Sequence, residues 1–93
     1  MAVSVYIPTP FRAHTGNQAQ LELEASDVKA LLDLLEARFG GLRGLVRNEA
    51  GDVHHHVNVY VNQEEIGVLQ GQATALRPGD EVTIVPALAG GCA

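Results

Sequence analysis

The sequence predicts an α+β fold in which a mixed sheet is covered on one face by one main helix. Runs of alternating polar and apolar residues near both ends of the chain indicate strands, and a central stretch has helical periodicity. A chain of 93 residues has room for one hydrophobic core, and its 46% hydrophobic content is typical of a globular protein. The arrangement of these runs predicts a single domain with two layers.

The first two strands are predicted in residues 2–8, AVSVYIP, and residues 19–25, AQLELEA. Both runs alternate with a period of two, which is typical of strands with one buried face. The residues expected to face the core are Val3, Val5, Ile7, Leu21 and Leu23. Residues 8–18 are interpreted as a long hairpin loop whose tightest point is Gly16-Asn17.

The helix is predicted from an apolar stripe that begins after Ser26. The stripe contains Val28, Leu31, Leu32, Leu35 and Phe39. Ser26 is the expected N-cap, and Asp27 places a carboxylate at the positive end of the helix dipole. We expect Gly40-Gly41 to end the helix, because glycine readily adopts the left-handed C-cap conformation.

The second half of the chain begins with an irregular stretch, residues 41–55, in which we expect a loop and a short helical turn. A strand follows, with Val57, Val59 and Val61 on one face, and then a turn and a short strand around Ile66. A Pro-Gly turn leads into the last strand, whose inward residues are Val82 and Ile84. This strand is apolar enough to be central. The order of elements predicts a β-grasp, or ubiquitin-like, arrangement.

The charge and the cysteine count exclude several classes of function. Lys and Arg total 6 against 11 Asp and Glu, so the formal charge is −5, which argues against nucleic-acid binding. One cysteine excludes an internal disulfide and a thiolate metal cage. The start lacks the features of a signal peptide, and no apolar run approaches the roughly 20 residues needed to cross a bilayer. We expect a cytoplasmic protein without membrane contact.

Three segments resemble one known family. Residues 57–66, VNVYVNQEEI, and residues 76–91, LRPGDEVTIVPALAGG, resemble the small sulfur-carrier proteins of the MoaD and ThiS types. Residues 3–18, VSVYIPTPFRAHTGNQ, are similar to the CysO-type carrier of cysteine biosynthesis, the branch with the strongest likeness. The segment that joins a turn, a strand and a diglycine at fixed spacing is the most specific part, and the resemblance covers nearly the whole chain.

The resemblance implies a carrier that other enzymes modify, with no catalytic site and no bound cofactor of its own. Its site is Gly91, with Gly90 as its neighbour: an adenylyltransferase of the ubiquitin-activating type uses ATP to adenylate the glycine carboxylate. A sulfur donor then converts the adenylate to a thiocarboxylate. In the CysO branch a pyridoxal-phosphate enzyme, of a cysteine or homocysteine synthase type, receives the sulfur. A JAMM-class zinc metallopeptidase releases the product.

The sequence departs from this family pattern because Cys92 and Ala93 follow the diglycine. An amide-bonded Gly91 has no carboxylate to adenylate, so the resemblance implies cleavage between Gly91 and Cys92 by a JAMM-class peptidase. Cys92 has no neighbouring base or cation that would activate it as a nucleophile. We therefore expect a β-grasp domain in residues 1–87 and a flexible tail in residues 88–93 whose Cys-Ala end is removable.

Glycines suit a tail that must enter another protein's cleft. Without Cβ atoms they pass through a narrow channel in conformations closed to other residues. Ordering such a tail costs about 1–2 kcal/mol per residue, so docking of the folded domain must offset that cost. The globular part is therefore expected to recognise the partner while the tail reacts.

Alternating strand residues predict a docking surface on the outward face of the sheet. Its members are Ser4, Tyr6, Asn58, Tyr60, Thr83 and Val85, joined by Leu88 from the tail. Tyrosine favours interfaces because it joins apolar area to a hydrogen-bonding tip. The alternative, scattered exposed residues without a role, stays open.

The three histidines at 54–56 do not predict a metal site. On a strand His54 and His56 would share a face and His55 would lie opposite, and two ligands are too few for structural zinc. His14 in the first loop has no supporting neighbours either.

Three other functions remain open beside the sulfur carrier. The chain could be the small subunit of molybdopterin synthase, whose tail enters the large subunit. It could be a ubiquitin-like protein modifier joined to lysines through Gly91. It could also be a plain ubiquitin-like binding module, which would keep its activity after loss of the tail.

Overall fold

The computed structural model describes residues 2–54 and 57–86. In these residues five strands form one sheet in the order β2-β1-β5-β3-β4, and an α-helix contributes to the core against one face of that sheet. The elements are β1 Val3–Tyr6, β2 Gln20–Leu23, α1 Val28–Arg38, β3 Val57–Val61, β4 Glu64–Glu65 and β5 Glu81–Pro86. The β1–β5 pair is parallel and the other pairs are antiparallel. The predicted mixed sheet with a central last strand is confirmed.

The core lies between the sheet and α1 and follows the predicted alternation. The buried strand residues are Val3, Val5, Leu21, Leu23, Val57, Val59, Val61, Val82 and Ile84. Four residues of the helical stripe, Val28, Leu31, Leu32 and Leu35, cover them. Fully burying an aliphatic side chain of this size stabilises the fold by roughly 1.5–3 kcal/mol, so this layer holds the strands in register.

The start of α1 differs from the prediction. Asp27 is the N-cap, because its carboxylate accepts a hydrogen bond from the Ala30 backbone N–H at 2.8 Å. Ser26 lies one residue earlier, and its carbonyl accepts from the Leu76 N–H at 2.9 Å. The prediction of Ser26 as the cap is wrong, because Ser26 is held in a backbone contact with the segment before β5.

The end of α1 also differs from the prediction. The helix ends at Arg38, with Phe39 as its C-cap at φ −128°, and a 3₁₀ turn over Gly40–Leu42 follows. Neither Gly40 nor Gly41 is among the residues with positive φ, so the predicted left-handed cap is wrong. The continuing turn instead buries Leu42 in the core.

The loop between β1 and β2 contains more structure than predicted. A 3₁₀ helix spans Thr9–His14 and buries Phe11. Gly16 and Asn17 both have positive φ, at 66° and 65°, which confirms the tight turn at this pair. The loop therefore packs against the core instead of running free.

A side-chain bracket fixes the start of β5 beside the β3–β4 turn. The Asn62 amide nitrogen donates to Asp80 Oδ1 at 3.0 Å, and the Glu81 backbone N–H donates to Asn62 Oδ1 at 2.9 Å. Asp80 Oδ2 accepts from the Arg77 N–H at 2.8 Å. The Asn62 donor and then the Arg77 backbone donor lower the pKa of Asp80 below its ordinary value.

A buried arginine ties the loop before β3 to the outer side of α1. Arg47 is 9% exposed, and it donates to Glu36 at 2.9 and 3.0 Å and to Asp33 at 2.7 Å. A third partner, Gln72, accepts at 3.2 Å. These carboxylates raise the pKa of Arg47, and the Arg47 hydrogen bond lowers the pKa of Asp33. The guanidinium is thus used in holding the fold together.

Candidate functional site

The predicted reacting group lies beyond the described part of the chain. Leu88, Gly90, Gly91 and Cys92 all fall outside the described residues, as does the boundary predicted between domain and tail. The last described residue is Pro86, which ends β5 in register with Val57. Gly91 follows Pro86 by five residues, a span of at most roughly 17 Å when fully extended. Any partner that reaches Gly91 therefore comes within about 17 Å of the end of β5.

The strands place the predicted docking residues on one side of the sheet. Tyr6 and Tyr60 are the register partners of Thr83 from its two sides, so the three form a row across β1, β5 and β3. Val85, two residues nearer the tail, lies opposite Asn58. We call Ser4, Tyr6, Asn58, Tyr60, Thr83 and Val85 the open face, since their strand neighbours are the buried core residues. Whether it docks a partner stays a prediction.

A shallow groove adjoins the end of β5. Its volume is about 270 Å³, and its lining includes Tyr6, Arg12, Val85 and Pro86. A larger depression of about 720 Å³ is lined from α1 and the loop before β3, around the ion-paired Arg47, and shares no lining residue with this groove. We call the smaller one the tail-exit groove, because the chain leaves the described sheet beside it.

Arg12 is the residue at this groove that the sequence reasoning missed. It lies in the 3₁₀ helix after β1 and is half-buried. Its Nε donates to the Ile7 carbonyl at 3.1 Å, which holds the base of the guanidinium against the end of β1. The sequence signal for it is a basic residue in the segment that resembles the CysO type, within the loop that follows the first strand.

The histidines gather no metal-binding group in the described ranges, 2–54 and 57–86, where no cluster of three or more His, Cys, Asp or Glu side chains could hold an ion. The His54 Nε2 lies 2.8 Å from the Gly44 carbonyl oxygen, and His14 packs beside Gly41. His55 and His56 fall outside the described residues. No helix in the same ranges is long and apolar enough to span a membrane.

A five-stranded mixed sheet with one helix against it, and with the last strand at its centre, defines a ubiquitin-like β-grasp protein. The chain belongs to the ThiS family, whose model matches residues 5–91. The match ends on Gly91 and leaves Cys92 and Ala93 beyond it.

Individual relatives agree with this assignment. The sulfur carrier protein CysO of Mycobacterium tuberculosis is 42% identical over 93 residues, covering 98% of this chain and 100% of that protein. A chain in the crystal structure of the Amycolatopsis orientalis BexX/CysO complex superposes with a TM-score of 0.87 at 36% identity, covering 92% of this chain and 96% of that one. Small archaeal modifier protein 3 of Haloferax volcanii is 48% identical over 61 residues, which are 66% of this chain and 65% of that protein.

Proposed function

We propose that this chain is a sulfur-carrier protein of cysteine biosynthesis and that the Gly91 carboxylate carries the sulfur. The observation that carries the proposal is its full-length similarity to the sulfur carrier protein CysO. The end of the family match on Gly91 supports the choice of the reacting residue. Cleavage of the bond between Gly91 and Cys92, by a zinc metallopeptidase of the JAMM class, exposes that carboxylate.

The chemistry requires activation because a carboxylate is a poor electrophile. One Gly91 oxygen attacks the α-phosphorus of ATP in the adenylating partner, and pyrophosphate leaves. Hydrosulfide supplied by a donor then adds to the acyl carbon, AMP leaves, and a thiocarboxylate remains. At a pyridoxal-phosphate enzyme the thiocarboxylate sulfur then bonds to the Cβ atom of an activated serine, and the group on the serine oxygen leaves. Hydrolysis by the JAMM-class peptidase frees the resulting cysteine from the carrier. In each step the chain is a co-substrate, while the partner supplies the catalytic groups.

The geometry divides recognition from reaction. The open face and the tail-exit groove border the end of β5, and Gly91 is within about 17 Å of Pro86 even when the tail is fully extended. A partner that receives the tail can therefore contact Tyr6, Tyr60 and Val85 while Gly91 lies in its cleft. Burial of this half-exposed aromatic and aliphatic surface offsets the entropy lost when the tail is ordered.

The test compares two forms of the chain with the purified adenylating enzyme of the same organism. We expect a chain that ends at Gly91 to support ATP–pyrophosphate exchange and the full-length chain, with Cys92 and Ala93, to support none. A chain ending at Gly91 that carries Gly90→Val is the matched variant, and we expect it to lose exchange because a branched side chain blocks the channel. Equal exchange by the full-length chain, or none by the chain ending at Gly91, would contradict the proposal.

Mass measurement tests the later steps. In protein isolated from its native source we expect loss of Cys92 and Ala93 and the replacement of one oxygen by sulfur. Full-length protein that persists beside its peptidase and adenylating enzyme would count against processing.

A second function, protein modification, is favoured by the similarity to small archaeal modifier protein 3. In that case the activated Gly91 would join lysine side chains of target proteins. Adducts that survive a denaturing gel and carry a Gly91–lysine linkage would establish this function. Their absence in cells that accumulate the thiocarboxylate would leave sulfur transfer as the role.

A further inference from the structure

The open face continues into an acidic end at the start of β5. Ser4 has Glu22 as its register partner on one side and Glu81 on the other. Both glutamates are exposed, and neither has an ion-pair partner among residues 2–54 and 57–86. Strands lie about 4.8 Å apart, so the Cα atoms of Glu22 and Glu81 stand about 10 Å from one another across Ser4. The Debye length is about 8 Å at physiological salt, so the two charges reinforce each other most strongly at low salt.

The opposite end of the open face, at the end of β5, is positively charged. Val85 lies four positions after Glu81 along β5, a distance of about 13 Å. Arg12 lines the groove there together with Val85. Its side chain donates through Nε to the Ile7 carbonyl, and both Nη groups are without a hydrogen-bond partner in the described chain. Between the two ends lies the uncharged row of Tyr6, Thr83 and Tyr60.

Other charges near the face do not cancel this pattern. Arg77 and Asp80 lie together in the turn before β5, where their opposite charges offset each other. Glu65 is the register partner of Tyr60 at the far edge, but its carboxylate lies over Gly67, 2.6 Å from where a Cβ would be built on that glycine. The face is therefore acidic at one end, uncharged in the middle and basic beside the tail.

We propose that this charge order selects a partner surface of complementary order and sets the direction in which the tail enters it. The partner would present basic side chains to Glu22 and Glu81, an apolar patch to the tyrosine row, and an acidic side chain to Arg12 at the mouth of its cleft. The inference rests on the proposed function, which makes the adenylating enzyme that partner. Charges at the edge of an interface act mainly on association and orientation, whereas the desolvated middle holds the complex together.

Charge reversal tests the proposal in ATP–pyrophosphate exchange, with chains that end at Gly91. For the double variant Glu22→Lys, Glu81→Lys we expect KM for the chain to rise about tenfold at low salt, with kcat unchanged and the effect shrinking as salt is added. For Arg12→Gln, which retains a hydrogen-bond donor and loses the charge, we expect a rise of about threefold. The control is Glu49→Lys, Asp52→Lys, two exposed residues in the loop on the helix side, which changes the net charge equally.

The outcomes separate this inference from the proposed function. If the unsubstituted chain ending at Gly91 is not adenylated, both proposals are defeated. If that chain is adenylated and the reversed variant has the same KM as the control, the charge order alone is overturned. A rise in KM that is equally large at high salt would also overturn it, because screening must weaken an electrostatic effect between exposed groups.

Discussion

The two faces of β5 differ in burial although they belong to one strand. Ile84 is 2% exposed and packs in the core under α1, whereas its neighbour Val85 is 37% exposed beside the tail-exit groove. The side-chain alternation of a strand places these residues on opposite sides. One six-residue strand therefore anchors the fold with one set of residues and leaves the other set available to a partner. Stability and recognition should then be separable by substitution at adjacent positions.

The largest expected effect comes from substituting each of these two neighbours with alanine. We expect Ile84→Ala to lower the free energy of unfolding by about 2–5 kcal/mol, because it removes packed methylenes and leaves a cavity. Val85→Ala should lower it by less than about 1 kcal/mol, since the side chain is partly in water. Urea unfolding followed by circular dichroism measures both.

The same two substitutions should rank in the opposite order when their effect on adenylation is measured. We expect Val85→Ala, in a chain ending at Gly91, to raise KM in ATP–pyrophosphate exchange by about threefold, because it removes apolar contact area beside the tail. Ile84→Ala should leave KM unchanged at a temperature where the variant is folded. An equal loss of stability for both variants would contradict the separation of the two faces.

The packed face was largely predictable from the sequence, because its signal is periodic. The alternation in β1, β2, β3 and β5 and the stripe Val28, Leu31, Leu32 and Leu35 identified residues that the structure buries. A buried position tolerates few residue types, so the pattern of apolar residues records the core directly. The central place of β5 followed from the same apolar character.

Local geometry was less predictable, because several residues could satisfy it. Ser26 and Asp27 are both good N-caps, and the choice depends on the Ser26 carbonyl binding the Leu76 N–H, a contact distant in sequence. Gly40 could have closed the helix, but the burial of Leu42 favours a continuing turn. Arg12 at the tail-exit groove could not be placed, because no periodic pattern links a loop residue to the end of β5.

The side-chain bracket of Asn62 and Asp80 at the start of β5 should make the free energy of unfolding depend on pH. The pKa of Asp80 is lower in the folded chain than its ordinary value of about 3.9, so the unfolded chain binds more protons in acid. The stabilisation from Asp80 is therefore complete above about pH 5 and is lost as the pH falls through the folded pKa. Asp80 is partly exposed, and solvent screening keeps the contribution to about 1 kcal/mol or less.

We expect Asp80→Asn to be less stable than the wild-type chain at pH 7 and to approach it near pH 3, in unfolding measured across that range. The control is Asp52→Asn, which removes a charge from an exposed loop. Its free energy of unfolding should change with pH in parallel with that of the wild-type chain. A difference for Asp80→Asn that stays constant with pH would show that the bracket does not depend on the charge of Asp80.

The smallest expected effect is a gain of stability at the β3–β4 turn, away from the tail. Asn62 and Gln63 both have positive φ, at 50° and 77°, in a two-residue hairpin connection of the kind that favours Asn-Gly. Gln63→Gly should raise the free energy of unfolding by about 0.5 kcal/mol, because glycine accepts this conformation without strain from a Cβ atom. Gln63→Ala keeps the Cβ atom and should not raise the free energy of unfolding. If the recognition surface is the open face around Thr83 and Val85, Gln63→Gly will leave KM in pyrophosphate exchange unchanged while the stability rises. A change in KM at this turn would instead extend the recognition surface to the β4 edge, and the division between anchoring and recognising residues would no longer follow the two faces of β5.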